Sequence, residues 1–446
     1  MNKKIKRRDI LKIGGAGLLG AAGSAPSVAA EETNCPPGIA GISARAAELP
    51  APRGPRVVVV GGGWSGLIMA KYLKRASAAF DVVLVEKNAV FISCPISNIW
   101  LAGGVEMEFL AHSYIDAANN NDYVYFNATV VDLDRPAHRL YTDRGHIRYD
   151  YLVLAPGIDY DYEKFGAETV EEQHLLRSRY PAGFISASER LSIKRKLETF
   201  KGGVLAMTVP SGNYRCMAAP YERACMAASI FKRRGIKAKI LLLDMNTGIR
   251  VKEHGFTKAF ETYYGDVIEY ENSVEISGVD LEQKEVVSDF DNYPFDDAII
   301  YPQVRASRLI EQLGLASASS PQKEADTDPF KYHMVGDERV YVTGDSRSQP
   351  YSKSGNTANS EAKYVAEVIA AHAAGKEAPW RSPQTMCFSA VKTDPVEAIS
   401  IIAFYAYDEQ AQSFAFDRVH TIENWSAPIG QAAFAWAEGM YQDMFY

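Results

Sequence analysis

The sequence predicts an α/β protein with two Rossmann-like domains and a smaller C-terminal α+β domain. Three observations predict it. A valine strand, Arg56 to Val60, runs into Gly61-Gly62-Gly63-Trp64-Ser65-Gly66, and a second apolar run, Val82 to Val85, ends in Glu86, twenty residues past Gly66. A second strand–turn–helix–strand unit spans Gly203 to Asp244. Finally, a strand from Arg339 ends in Gly344-Asp345 and is followed by a helical stretch from about Thr357 to Ala374, so the chain returns to its first sheet. Strands that alternate with helices call for parallel sheets.

Each element has a physical reason. In the first unit Gly61 permits a tight turn, Gly63 lets backbone approach a pyrophosphate, and Gly66 lets helix and strand pack closely. Trp64 and Ser65 open a helix whose N-terminal N–H groups and dipole favour phosphate, and Glu86 is placed to accept from a ribose hydroxyl. Tyr149 to Leu154 reads as a buried strand running into the small-residue turn Ala155-Pro156-Gly157. In the second unit Pro220 suits the first turn of a helix that ends at Arg234, with Gly235 as its stop. The turn before it, Pro210 to Cys216, has a single glycine. That predicts a nucleotide-type fold without a nicotinamide site, with a divergent NAD site as the alternative. The expected division is 1–30 export signal, 31–54 linker rich in Ala, Gly and Pro, 55–160 with 296–374 as the first domain, 161–295 as the second, and 375–446 as the last. The aromatics of the last segment, among them Trp425, Phe434, Trp436 and Tyr441, read as core packing with no chemistry.

Composition narrows the function classes. The chain has 446 residues, 23% of them charged, with a formal net charge of -7. Residues 1–30 hold six basic residues against Asp9 alone, so the remainder is near -12. An acidic surface argues against nucleic acid and anionic lipid and suits a basic protein partner. Arg7-Arg8 ahead of the glycine-rich apolar run Ile13 to Gly23, with Val28-Ala29-Ala30 as a cleavage site, resembles a twin-arginine signal and predicts a periplasmic protein. The apolar run is too short to span a bilayer, and no other segment reads as membrane-spanning, so no stable membrane insertion is expected. Five cysteines, Cys35, Cys94, Cys216, Cys225 and Cys387, would then meet an oxidising compartment. Their spacing fits no metal site, and no Cys-x-x-Cys-His is present for haem.

Four passages carry a specific resemblance: Val57 to Gly66, Phe91 to Asn98, Arg215 to Arg223, and Tyr341 to Asn359 with the Cys387 region behind it. Together the chain resembles the flavoprotein subunit of flavocytochrome c sulfide dehydrogenase. Its glutathione-reductase-type fold is shared with sulfide:quinone oxidoreductases. The resemblance implies FAD as cofactor, held through a thioether at Cys94, eight residues past Glu86; the alternative is an ordinary buried cysteine. It implies a flavin-binding set of Gly61, Gly63, Trp64, Ser65, Gly66, Glu86, Lys87, Cys94, Val131, Ala155, Gly157, Gly344, Asp345 and Lys353, with Asp345 accepting from ribityl hydroxyls.

The same resemblance makes Cys216 and Cys387 a redox-active disulfide, attacked by hydrosulfide to give a persulfide and a thiolate. A purely structural disulfide is the alternative. Arg215 is the expected support for a thiolate at Cys216. Glu222 reads either as a proton acceptor or as a carboxylate complementing a helix dipole. Cys35 and Cys225 match no family role, and Met217-Ala218-Ala219 replaces a stretch that is richer in Pro and Gly in the family. The implied activity is oxidation of sulfide to sulfur or polysulfide, with electrons passing through flavin to a c-type cytochrome subunit that carries the haem in a heterodimer. A sulfide:quinone oxidoreductase is one alternative, although Trp425 to Tyr446 has no Lys or Arg to form the basic face expected at an anionic bilayer. A flavin–disulfide redox sensor or sulfur carrier without turnover is the other.

Overall fold

The computed structural model describes residues 40–446. The export-type segment and Cys35 lie outside the described residues. Of the expected linker, residues 40–54 are described; Ala47 N–H donates to the His146 carbonyl at 2.9 Å, which pins that stretch to a β-hairpin.

The first unit opens with β1 (Arg56–Val60), α1 (Trp64–Ala76) and β2 (Asp81–Glu86). It continues through a short helix α2 (Ser97–Leu101), β3 (Val124–Asn127) and β4 (Tyr151–Leu154). The four valines of β1 are buried because α1 and its neighbours cover one sheet face and a hairpin region covers the other; a central parallel strand has no solvent side. The second unit comprises β5 (Gly203–Val209), α3 (Ala219–Arg234), β6 (Ala238–Asp244), α4 (Glu253–Tyr264), β7 (Ile268–Glu271) and β8 (Asp297–Ile299). Its four strands lie parallel in the order β7-β6-β5-β8. Asp297–Ile299, expected in the returning first domain, thus completes the second sheet. Pro220 stands in the first turn of α3, and Gly235 ends it with φ +65°.

The chain then returns with β9 (His333–Met334), β10 (Asp337–Val342) and α5 (Gly355–Ala373). The first sheet has the order β9-β10-β4-β1-β2-β3. The strand ends at Val342 rather than Asp345, because Gly344–Ser346 forms a 3-10 turn that lifts Asp345 off the sheet end. Two crossing segments, Ile158–Asp161 and Gln303–Ala306, pair antiparallel where the chain passes between the units. The last segment is an antiparallel sheet of β11 (Thr385–Thr393), β12 (Val396–Asp408) and β13 (Ser413–Ser426), closed by α6 (Ala427–Phe445). None of the helices among the described residues is long and apolar enough to cross a membrane.

Candidate functional site

Ligands of open parallel sheets bind beyond the carboxyl ends of the strands, where the strand order reverses. Here β1 lies between β2 and β4, and a cleft of about 430 Å³ opens at their ends. Gly61, Gly63, Trp64, Ser65, Glu86, Lys87, Cys94, Ala155, Gly157, Gly344 and Asp345 all line it. Gly61 adopts φ +97°, which only glycine holds without strain. Gly66 does not line the cleft; a Cβ there would sit 1.8 Å from the Gly61 carbonyl oxygen, so its absence is what lets α1 lie against the turn.

The donor set fits a dinucleotide. The Glu86 carboxylate accepts from Gly62 N–H at 2.6 Å and from Asn88 N–H at 2.7 Å, which aims it at one end of the cleft with lone pairs to spare. At the other end Asp345 Oδ1 is buried without a partner, while Oδ2 lies 3.5 Å from Arg215 Nε. A buried carboxylate oxygen with nothing to accept from requires a donor, and ribityl hydroxyls are donors of the right kind.

Besides Gly66, two expected residues lie elsewhere. Val131 does not line the cleft; its strand, Val130–Asp134, has already left for a separate antiparallel sheet, and its carbonyl accepts from Gln312 Nε2 at 2.7 Å. Lys353 is fully buried behind the cleft, pairing with Glu324 at 2.5 Å and donating to the Asp345 carbonyl at 2.8 Å. Its own carbonyl accepts from Cys216 N–H at 2.7 Å. Lys353 therefore ties the Asp345 turn to the Cys216 loop.

Beside the cleft, and sharing Ser354 and Gly355 with it, lies a pocket of about 50 Å³. Cys216, Cys387 and Glu222 line it, with Ile96, Phe388 and Trp436 among the apolar walls. Cys216 enters from the loop before α3 and Cys387 from β11, and the two are free thiols close enough to act on each other's titration. Cys216 holds φ +59°, a left-handed conformation costly for a side chain with a Cβ and typical of functional positions. Its interaction with Cys387 and its burial hold the Cys216 thiol well above the ordinary range. Cys387 moves the other way, through its interaction with the neighbouring Cys216 thiol and because the Lys252 ammonium stands 3.6 Å from its sulfur.

Glu222, in the first turn of α3, is partly exposed to this pocket. Burial pushes its carboxyl up to about 7, against the opposing effect of Asn98 Nδ2 and Ala390 N–H, each donating at 2.8 Å. Arg223 Nε donates to Asn98 Oδ1 at 3.0 Å, which fixes the amide with its NH₂ toward Glu222. Cys225 is buried in the helix core, apart from both pockets.

Sequence reasoning missed four members of this site. Asn98 and Arg223 stand inside the passages that carry the resemblance, so a reading of side-chain reach could have found them. Lys252 has no motif around it. Trp436, read as packing alone, lines the small pocket and stacks on Trp64 at 5.7 Å and 14°. Arg215, expected to support a thiolate at Cys216, does feel the Cys216 and Cys94 sulfurs but lies 3.5 Å from Asp345 in the cleft, and the cation against Cys387 is Lys252.

Comparison with known proteins places this architecture. Residues 191–300 match the family described as sulfide dehydrogenase [flavocytochrome c] flavoprotein chain, central, and residues 55–180 match pyridine nucleotide-disulphide oxidoreductase. The sulfide dehydrogenase flavoprotein chain of Chlorobaculum thiosulfatiphilum is 51% identical over 43 residues, which are 10% of this chain and 90% of that sequence. The chain belongs to the flavocytochrome c sulfide dehydrogenase flavoprotein family. Mouse mitochondrial sulfide:quinone oxidoreductase is also similar, 27% identical over 195 residues, 43% of this chain and 42% of that protein, so the match spans less than half of the mouse enzyme. The crystal structure of sulfide:quinone oxidoreductase from Aquifex aeolicus superposes with a TM-score of 0.69 at 16% identity, covering 88% of this chain and 92% of that one. That likeness shows a common fold.

Proposed function

We propose that this flavoprotein is a periplasmic FAD-dependent sulfide dehydrogenase. In this reading it oxidises sulfide to sulfur or polysulfide through Cys216 and Cys387 and passes electrons to a c-type cytochrome subunit. One observation carries the proposal: two sulfurs 171 positions apart in sequence meet beside a carboxyl poised near neutrality, in a pocket that adjoins the dinucleotide cleft.

The residues divide the work. The glycine turn and the N-terminus of α1 would hold the pyrophosphate, Glu86 the adenosine ribose, Asp345 the ribityl chain, and Cys94 the ring through a thioether. FAD supplies a two-electron acceptor that can release its electrons singly. The small pocket, about 50 Å³, is of a size for an inorganic anion. Hydrosulfide attacks the oxidised Cys216–Cys387 pair; one sulfur gains a persulfide and the other leaves as thiolate. Glu222, held by Asn98 and Ala390, takes the proton that the persulfide sheds.

Anaerobic mixing of the flavin-loaded protein with sulfide tests the reading. Fast bleaching of the flavin, followed by reoxidation with a c-type cytochrome, supports it. Reoxidation by quinone alone assigns the chain to the quinone-reducing branch, and bleaching without turnover assigns it to a sensor or carrier.

A further inference from the structure

We infer that Lys252 is the positioning residue that makes Cys387 the thiolate-bearing member of the pair, so that hydrosulfide is directed onto Cys216. This rests on the sulfide-oxidising reading and adds a direction to it.

Lys252 is 3% exposed and stands at the N-cap of α4 with φ +56°. A left-handed lysine in the interior is unfavourable twice over, through its backbone and through its desolvated charge. Its ammonium points at one short stretch of β11: it donates to Ser389 Oγ at 2.7 Å, and it lies 3.5 Å from the Cys387 carbonyl oxygen and 3.6 Å from Cys387 Sγ. The described residues include no carboxylate within 4.0 Å of it. A buried cation of this kind requires an anion, and the group in place to become one is the Cys387 sulfur. The other groups that face Cys387 are Cys216, Ser389 and the Glu222 carboxyl. None of these is a cation, so among the described residues Lys252 is the cation against Cys387. Arg215 and Arg223, which act on Cys216, are engaged by Asp345 and by Asn98 with the Ala182 carbonyl and make no hydrogen bond to its sulfur.

The consequence is a direction for the exchange. In a thiol–disulfide reaction the sulfur with the more stable thiolate leaves faster. Hydrosulfide sulfur bonds to Cys216 Sγ, the Cys216–Cys387 bond breaks, and its electron pair goes to Cys387 Sγ beside the ammonium. The hydrosulfide proton stays on the new Cys216 persulfide or passes to the Glu222 carboxylate. The disulfide is the only oxidant in this step.

Two measurements on the full, flavin-loaded chain decide it. First, the reduced pair is alkylated with iodoacetamide across a pH series, and each cysteine is followed by peptide mass. Cys387 should react first, and Lys252→Met should slow its reaction at about pH 6 by about tenfold or more, while Lys252→Arg restores it. All these side chains carry a Cβ at the same left-handed position, so backbone strain is held constant, and flavin content with the thermal midpoint checks folding. Equal reactivity of Cys216 and Cys387 in the parent chain, or an unchanged Cys387 in Lys252→Met, overturns the inference. Second, the oxidised chain takes one equivalent of hydrosulfide, and the persulfide is trapped and mapped. Persulfide on Cys216 supports the direction, and persulfide on Cys387 overturns it. If neither peptide carries persulfide, the sulfide reading and the direction fail together, while the alkylation series, which uses no sulfide, still decides whether Lys252 sets the thiolate.

Discussion

Glu222 has two donors, Asn98 and the Ala390 amide, yet burial still holds its carboxyl up at about 7. The pH dependence of activity alone is a poor probe of it, because hydrosulfide itself changes charge near neutrality. Stability separates the two. The folded carboxyl lies above its ordinary value of 4.5, so the folded chain binds more protons than the unfolded one between about 4.5 and 7. Its contribution to stability is therefore fully present below 4.5 and is lost as pH rises through 7. Denaturant unfolding of Glu222→Gln should lack that loss, and sulfide-dependent kcat/KM should fall by about a hundredfold or more. An unchanged pH slope in the variant would place the shift on another group. Cys94 gives a simpler test at the same scale. Acid precipitation should carry flavin into the pellet with the parent chain and leave it in solution with Cys94→Ser, and the mass of the Cys94 peptide should rise by that of FAD.

The turn that presents Asp345 is held by α5. Glu361 on that helix accepts from Gly344 N–H and pairs with Arg347 at 2.8 Å, and both side chains are fully buried. Glu361→Ala leaves the Arg347 guanidinium buried without its carboxylate, which costs about 3–5 kcal/mol. Denaturant titration should show that loss, and flavin should dissociate more readily from a Cys94→Ser background because the Asp345 turn has lost its anchor. Elements of this kind mark how far the sequence could be read. The glycine turn, Glu86 twenty residues on, and Pro220 and Gly235 around α3 were legible because each is a local rule satisfied by neighbours in sequence. The strand limit at Val342 was not, because Gly344 lets the chain turn off the sheet early without any change in apolar pattern. Lys252 was illegible for a different reason: it lies 135 positions from Cys387, and nothing in its neighbourhood marks a left-handed lysine. Val131 shows the converse, a plausible cleft residue by chain position whose strand had already joined another sheet.

At the scale of the whole molecule, three separate pieces of chain build one reaction volume. The first unit supplies the glycine turn and Cys94, the second supplies Cys216, Glu222 and Lys252, and the C-terminal sheet and helix supply Cys387 and Trp436. Only the resemblance, not the spacing, could bring Cys216 and Cys387 together beforehand, since pairing over that separation is decided by the packing of the C-terminal sheet on α3. The same scale governs electron exit. If the proposed export segment is removed, the formal charge near -12 would create a field that attracts the proposed basic cytochrome and is screened by salt over about 8 Å at physiological ionic strength. In the proposed reaction, reduction of flavin by sulfide takes place at the small pocket between neutral or buried groups and should be nearly independent of salt. Onward reduction of a basic c-type cytochrome should slow by about tenfold or more as salt is raised from roughly 0.01 M to roughly 1 M, because steering is lost while the internal chemistry is untouched. Stopped-flow traces that resolve the two phases check this. If both phases ignore salt, the acidic surface plays no part in electron delivery, and an uncharged acceptor such as a quinone becomes the better reading of the same site.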